Sequence, residues 1–287
     1  FQLIFVGVIA YLMLITSVFT GYLNGIQSFG WQNASAFITI FFKFCFGVSL
    51  VYLGWNLFGA LLGVFLGALA GLLIAFYPLR NLFSKIEKTK FDFKKIYVYS
   101  VPVILSSVFP VLLFTIDLIV ARHFLPDKAG YYASAGLVAK VIWYGSGFFV
   151  PAVFPKFVSY FAKKKNARKL LFKSLAYTSI TAFIGCIFLF IMPKFIINLL
   201  YGAEYIEAAG FLWLLGSGMA FFSVTQLLIA YNLAAERFGF IWFLVLGFVF
   251  EVVAILLFHA NLMQIAVIFL FANLISFLGL CFSAFKN

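Results

Sequence analysis

The sequence is dominated by apolar stretches of 18 or more residues, which are separated by short polar segments. An α-helix rises 1.5 Å per residue, so a stretch of ~20 residues crosses the ~30 Å hydrocarbon core of a bilayer. Of the 287 residues, 66% are hydrophobic and 10% are charged. A soluble domain of this size cannot bury so much apolar surface in one core. The sequence therefore predicts an all-α integral membrane protein.

These stretches predict about nine transmembrane helices. The predicted spans are Gln2–Leu23, Ala34–Leu53, Leu57–Leu79, Ile96–His123, Gly130–Phe157, Leu171–Leu200, Ala208–Leu233, Phe240–Phe258 and Met263–Ala284. Most Lys and Arg residues lie in alternate loops, above all between Arg80 and Lys95 and between Lys156 and Lys173. By the positive-inside rule these loops and the C-terminus are cytoplasmic. We therefore expect a multi-pass protein of the cytoplasmic membrane whose basic loops touch anionic headgroups, not nucleic acid.

Four ionisable residues lie at membrane depth, namely Lys43, Asp117, Lys140 and Glu251. A charge at the bilayer centre costs ~2.5–3.5 kcal/mol on insertion scales, so such residues usually face a protein interior or a watery cavity. Asp117 and Glu251 are candidates for coupling to a proton or a sodium ion. The alternatives are an ion pair between Asp117 and Lys140, a structural role of Asp117 in a helix contact, and a neutral buried acid at Glu251.

Lys140 shares its predicted helix face with small residues and a tyrosine. At helical spacing this face carries Ala133, Gly136, Tyr144, Gly147 and Pro151. Such a composition is typical of a cavity wall or a close helix contact, not of a surface that faces lipid. A cation on this face attracts an anionic head such as a pyrophosphate. The alternative is a structural ion pair between helices.

Two neighbouring predicted spans each contain two prolines. Pro102 and Pro110 lie in the first of them, and Pro151 and Pro155 lie in the second. Because proline removes a backbone hydrogen bond and bends a helix, we predict hinges at these four positions.

Four glycines in the third predicted span are spaced by four residues, at Gly59, Gly63, Gly67 and Gly71. This spacing puts them on one face of the helix. A stripe without side chains lets a neighbouring helix approach closely, so we predict tight packing there and no chemistry.

The sequence lacks the residue patterns of an enzyme. It has no P-loop pattern for nucleotide triphosphates and no catalytic triad. Its histidines, His123 and His259, lie at span ends, and Cys45, Cys186 and Cys281 fall in apolar stretches without metal-ligand spacing. These observations indicate a protein that is not an enzyme and that needs no cofactor and no metal.

Three segments resemble those of polysaccharide-biosynthesis flippases. The segment Thr115–Tyr132, with the sequence TIDLIVARHFLPDKAGYY, resembles part of their seventh and eighth helices. The segment Leu199–Ala209 is similar to the loop before their tenth helix, and Gly21–Phe29 is similar to the loop after their fourth. The three segments follow one another along the chain in the same order as in that family. The chain thus resembles the O-antigen (Wzx-type) branch of the multidrug/oligosaccharidyl-lipid/polysaccharide exporter superfamily.

The resemblance implies an N-terminally truncated chain that is equivalent to helices 4–12 of a twelve-helix transporter with two lobes. It implies a partial N-terminal lobe with three helices at residues 1–82, a cytoplasmic basic linker at 83–95 and a C-terminal lobe with six helices at 96–287. The seventh and eighth helices of such transporters line the central cavity, which would put Asp117 and Lys140 there. Tyr144 and Lys43 are further candidates for contact with the substrate.

The resemblance also implies a function. Such a protein flips an undecaprenyl-pyrophosphate-linked oligosaccharide across the membrane for the synthesis of cell-surface polysaccharide. The expected partners are this lipid-linked substrate, membrane lipids and other polysaccharide-assembly proteins. A cation-coupled drug or metabolite antiporter shares the fold, but a net cationic cavity favours an anionic lipid head. A membrane-embedded polysaccharide polymerase would need large outer loops with catalytic groups, whereas the predicted outer loops are only a few residues long.

Overall fold

The computed structural model describes residues 2–26, 28–80 and 93–285, and every regular element in these ranges is helical. The α-helices are α1 (Gln2–Gly25), α2 (Phe29–Leu50), α3 (Asn56–Phe76), α4 (Phe93–Leu113), α5 (Ile116–Phe124), α6 (Ala129–Gly147), α7 (Phe149–Ala162), α8 (Arg168–Ile191), α9 (Pro193–Tyr201), α10 (Leu212–Ala234), α11 (Ile241–Leu257) and α12 (Leu262–Phe285). The all-α prediction is therefore confirmed.

The chain divides into two compact units, Phe1–Phe91 with α1 to α3 and Asp92–Asn287 with α4 to α12. The basic linker predicted at 83–95 lies mostly outside the described residues, which resume with α4 at residue 93.

Seven helical segments in the described ranges are long and apolar enough to cross a membrane. One of them, Phe29–Leu79, has 51 residues and contains the antiparallel helices α2 and α3, so it supplies two crossings. The shorter apolar helix α11 has 17 residues and reaches about 25 Å at 1.5 Å per residue. With α11 and both halves of the long segment, the described helices account for the nine predicted spans.

The glycine stripe of α3 is where α2 packs against it. All four predicted glycines are buried. Gly63 lies directly against the backbone of Gly47, and a Cβ at Gly67 would come within 2.6 Å of the Thr39 carbonyl oxygen. The turn between the helices includes Gly54 with φ +88°, a conformation that costs glycine little. The predicted close packing is confirmed.

Helix α10 lies at the centre of the second unit. It packs against α4, α6, α7, α8 and α12, and most of its residues are buried. A helix that is surrounded on all sides should be apolar all round. The polar side chains of Ser223, Thr225 and Asn232 each donate a hydrogen bond to the carbonyl four residues earlier, at 2.8–2.9 Å. They thereby satisfy their donors within the helix, as a membrane interior requires.

Three predicted spans contain breaks that the prediction lacked. The break between α6 and α7 falls at Phe148. In a continuous helix the N–H of residue 151 would donate a hydrogen bond to the Gly147 carbonyl, but Pro151 has no N–H. The break between α8 and α9 falls at Met192, and Pro193 opens the new helix in the position where proline is best tolerated. The third break separates α4 from α5 and shapes the candidate site.

Candidate functional site

Asp117 lies in the first turn of α5, just after the break between α4 and α5. At the break, the Phe114 N–H donates to the carbonyls of both Pro110 and Val111, at 3.0 and 3.3 Å, which marks the tightened last turn of a helix. The helix restarts at Ile116. A carboxylate in a first turn is stabilised by the positive end of the helix dipole, so the break gives Asp117 a favourable place.

The Asp117 carboxylate is buried, with 6% of the residue exposed. It accepts a hydrogen bond of 2.9 Å from the Tyr132 hydroxyl, and Tyr132 lies on α6 and is also buried. A hydrogen bond to a charged group contributes about 1.5–3 kcal/mol. This contact therefore joins α5 to α6 and fixes the direction of the carboxylate.

Lys140 lies two turns further along α6 and is half-buried. Its Nζ lies 4.0 Å from the centroid of the Phe114 ring. The same ring contacts Trp143 and Phe222 at centroid distances of 4.8 and 5.4 Å. The lysine ammonium thus rests on an aromatic cluster at the break between α4 and α5.

Asp117 and Lys140 line one small cavity of about 20 Å³, together with Tyr132, Leu215 and Met219. This volume holds about one water molecule. Within the described part of the chain the two charged groups do not form an ion pair within 4.0 Å. The cavity is too small for a sugar or a lipid head, so no substrate of that size fits inside it.

The other predicted members of the Lys140 face are exposed or half-exposed. Tyr144, one turn beyond Lys140, is 64% exposed. Gly136 and Gly147 are half-exposed and Pro151 is exposed. The helix break at Phe148 separates Pro151, on α7, from the other members of the face, and the role of this face as a substrate surface stays a prediction.

Glu251 lies on α11 and is completely buried. Neither of its carboxylate oxygens has a hydrogen-bond partner among the described residues. Helix α11 packs against α5, and Glu251 is close enough to interact electrostatically with Asp117 and Tyr132. The structure thus brings the two acids that the sequence proposes for ion coupling into one electrostatic cluster.

Lys43 belongs to the first unit. It is exposed on α2 and lines an open apolar cavity of about 650 Å³ between α2 and α3. Its predicted contact with a substrate remains untested.

The four predicted hinge prolines occupy two helices. Helix α4 continues through Pro102 and Pro110, and its end comes three residues after the second of them. Pro155 lies inside α7, and Pro151 lies in the first turn of that helix. The breaks therefore lie near Pro110 and Pro151 but not at them, and hinge motion stays a prediction.

No group of three or more His, Cys, Asp or Glu side chains in the described ranges could hold a metal ion. Cys45, Cys186 and Cys281 are free thiols.

Sequence reasoning missed Tyr132 and Phe114, which hold Asp117 and Lys140. Both are common aromatic residues in an aromatic-rich chain, so no composition signal distinguishes them. Tyr132 follows Asp117 by 15 residues across a loop, and only the packing of α5 on α6 turns this separation into a contact.

The chain matches the family of polysaccharide biosynthesis proteins over residues 2–161. The matched region includes α1 to α6 and nearly all of α7, and it therefore contains Lys43, Asp117, Tyr132 and Lys140. Comparison with curated proteins and with solved structures gives no match. Members of the family are mostly transporters and flippases, and membership indicates a polysaccharide-related exporter or flippase. The chain is a multi-pass membrane protein that belongs to the polysaccharide biosynthesis protein family.

Proposed function

We propose that the chain is a flippase for an undecaprenyl-pyrophosphate-linked oligosaccharide. It moves this lipid from the inner to the outer leaflet of the cytoplasmic membrane, with its own C-terminus in the cytoplasm. The observation that carries the proposal is the Lys140 ammonium, a half-buried cation on a small-residue face that rests on an aromatic ring. Asp117 interacts with it electrostatically but forms no direct ion pair with it.

The energetics of this ammonium favour an anionic ligand. A cation–π contact contributes about 0.5–2 kcal/mol, and a charge at the bilayer centre costs about 2.5–3.5 kcal/mol. The Phe114 ring offsets part of the cost, and the electrostatic interaction with Asp117 offsets a further part. A pyrophosphate offers several acceptor oxygens and a full opposite charge, so it binds where an uncharged sugar gains little.

We assign ion coupling to Asp117 and Glu251. Both are buried in the same cluster, and the Glu251 oxygens lack a protein partner in the described ranges. A proton or a sodium ion would neutralise such a site and leave it again when helices move. This assignment gives the transporter a source of energy that needs no nucleotide.

The acid cluster also supports a second candidate, a cation-coupled drug or metabolite antiporter. Asp117 and Glu251 outnumber Lys140, so a cationic substrate would also find opposite charge. However, both acids are buried and Lys140 is partly open. The accessible side of the cluster therefore suits an anion.

The test replaces Lys140 in the full-length protein and measures surface glycan together with protein abundance. Lys140→Ala is expected to abolish glycan export, and Lys140→Arg is expected to retain part of it because the charge remains. Lys194→Ala, at an exposed lysine of α9, is the control and should export normally.

Normal export by Lys140→Ala at normal abundance would overturn the proposed role of Lys140. If the variant instead leaves glycan unchanged and makes cells sensitive to cationic drugs, the antiporter is the correct function.

A further inference from the structure

We propose that the groove between α2 and α3 holds the hydrocarbon chain of the carrier lipid while Lys43 binds its pyrophosphate, as a second binding position in addition to Lys140. This inference rests on the proposed function and adds a binding site for the lipid part of the substrate.

The groove has the size and the walls of a site for an apolar chain. Its volume is about 650 Å³, within the ~300–1,000 Å³ typical of ligand pockets. One wall is a single face of α2, where Ile40, Phe44 and Val48 repeat at helical spacing. The other wall is formed by Ala60 and Val64 of α3.

The groove exists because small residues lie between the helices. Gly47 forms part of its lining and is the residue on which Gly63 packs. A larger side chain at Gly47 would fill the space between the two walls. The same glycine contact that brings α2 and α3 together therefore also leaves the groove open beside it.

Lys43 is the charged residue that lines the groove, and it is exposed. The sequence contains no Asp or Glu before Glu87, so α1, α2 and α3 offer no acidic partner for its ammonium. An apolar groove whose cation has no acidic partner on α1, α2 or α3 is complementary to a lipid with an anionic head.

The depth of Lys43 distinguishes the carrier lipid from an ordinary phospholipid. Lys43 lies eight residues before the turn that begins at Val51, which is about 12 Å along the helix axis. Side chains of an α-helix lean toward its N-terminus, so the ammonium points away from that turn and toward the bilayer centre. Phospholipid phosphates stay at the interface, whereas the phosphates of a lipid in transit pass through this depth.

The test measures lipid binding to the purified full chain in nanodiscs by native mass spectrometry. The probes are undecaprenyl pyrophosphate, undecaprenol, a dioleoyl phosphatidylglycerol and inorganic pyrophosphate. Undecaprenyl pyrophosphate should bind at least about tenfold more tightly than the probes that lack its charge or its chain, as expected for a charge-assisted hydrogen bond combined with apolar burial. Tighter binding of phosphatidylglycerol would overturn the proposal in favour of a site for bilayer lipid.

Substitutions at two positions separate the contribution of the charge from that of the groove. Lys43→Gln should weaken the binding of undecaprenyl pyrophosphate about tenfold or more and leave the binding of undecaprenol unchanged. Lys43→Arg, which keeps the charge, should bind undecaprenyl pyrophosphate with the original affinity. Ala60→Phe fills the groove and should weaken the binding of both undecaprenyl pyrophosphate and undecaprenol. The matched controls are Arg80→Gln, the other described cation of the first unit, and Ala70→Phe on α3 outside the groove. Unchanged binding in Lys43→Gln or in Ala60→Phe would overturn the proposal.

A photoreactive prenyl pyrophosphate gives a second readout on the unmodified protein, so the result does not depend on the folding of a variant. Crosslinks are expected in the peptides of α2 and α3 that line the groove, and crosslinks confined to other helices would contradict the site. Loss of glycan export in Lys140→Ala without prenyl binding in the groove would refute this inference alone. Prenyl binding in the groove without any effect of Lys140→Ala on glycan would refute the proposed function alone.

Discussion

Replacement of Glu251 by methionine is expected to stabilise the protein and to abolish transport. The carboxylate is completely buried, and neither oxygen has a hydrogen-bond partner among the described residues. Each buried polar group without a partner costs about 1–3 kcal/mol. Methionine has a similar length and a similar helix propensity and carries no polar oxygen.

The magnitude follows from these terms. Removal of two unpartnered oxygens raises the free energy of unfolding by about 2–6 kcal/mol. Imperfect packing of the new side chain lowers it by up to about 1.5 kcal/mol. The net gain is therefore at least about 0.5 kcal/mol and reaches a few kcal/mol. Since 1 kcal/mol shifts Tm by about 2–4 °C for chains of 150–250 residues, a rise of several degrees is expected.

The assay is thermal unfolding of the purified protein in detergent, followed by tryptophan fluorescence, together with glycan export in cells. Leu256→Met, at an exposed position of the same helix, is the matched control and should change neither. A Glu251→Met variant that unfolds at a lower temperature than the control would refute the reasoning, because the carboxylate would then have a stabilising partner. A variant that exports normally would refute its role in ion coupling.

Two further predictions concern contacts within each unit. Tyr132→Phe removes the hydrogen bond to buried Asp117, so we expect a loss of about 1–3 kcal/mol of stability and weaker export. Tyr144→Phe, at an exposed tyrosine of α6, is the control for stability alone, and equal Tm values in the two variants would contradict the contact. Gly67→Ala puts a Cβ within 2.8 Å of the Lys43 backbone nitrogen, so we expect a destabilisation of about 1–3 kcal/mol. Gly30→Ala has open space around it and should unfold like the wild type; an unchanged Tm in Gly67→Ala would contradict the tight packing.

The helical architecture was predictable from the sequence because its cause is local. A bilayer requires about 20 apolar residues per crossing and satisfied backbone groups, and both requirements are visible in the chain. The glycine stripe of α3 was predictable for the same reason, since spacing by four residues fixes a face. The breaks at Phe114, Phe148 and Met192 were not predicted, because apolar runs continue across them.

The candidate site was predictable only in part. Charge at membrane depth identified Asp117, Lys140 and Glu251, since their cost in lipid depends on residue type and position alone. Their partners depend on how distant helices pack. Thus the sequence did not indicate that Asp117 would accept a hydrogen bond from Tyr132 or that Lys140 would form a cation–π contact with Phe114.

The central claim is that the face of Lys140 lines a path that water and substrate can enter. The direct measurement is labelling of Lys140→Cys by a membrane-impermeant thiol reagent, in a protein whose Cys45, Cys186 and Cys281 are replaced by alanine. Lys194→Cys, at an exposed position of α9, controls for reagent access. We predict that the Lys140→Cys thiol is labelled. In Tyr144→Cys, which keeps the Lys140 ammonium, added undecaprenyl pyrophosphate is expected to slow the labelling. A thiol that stays unlabelled while the Lys194→Cys control reacts would contradict the account.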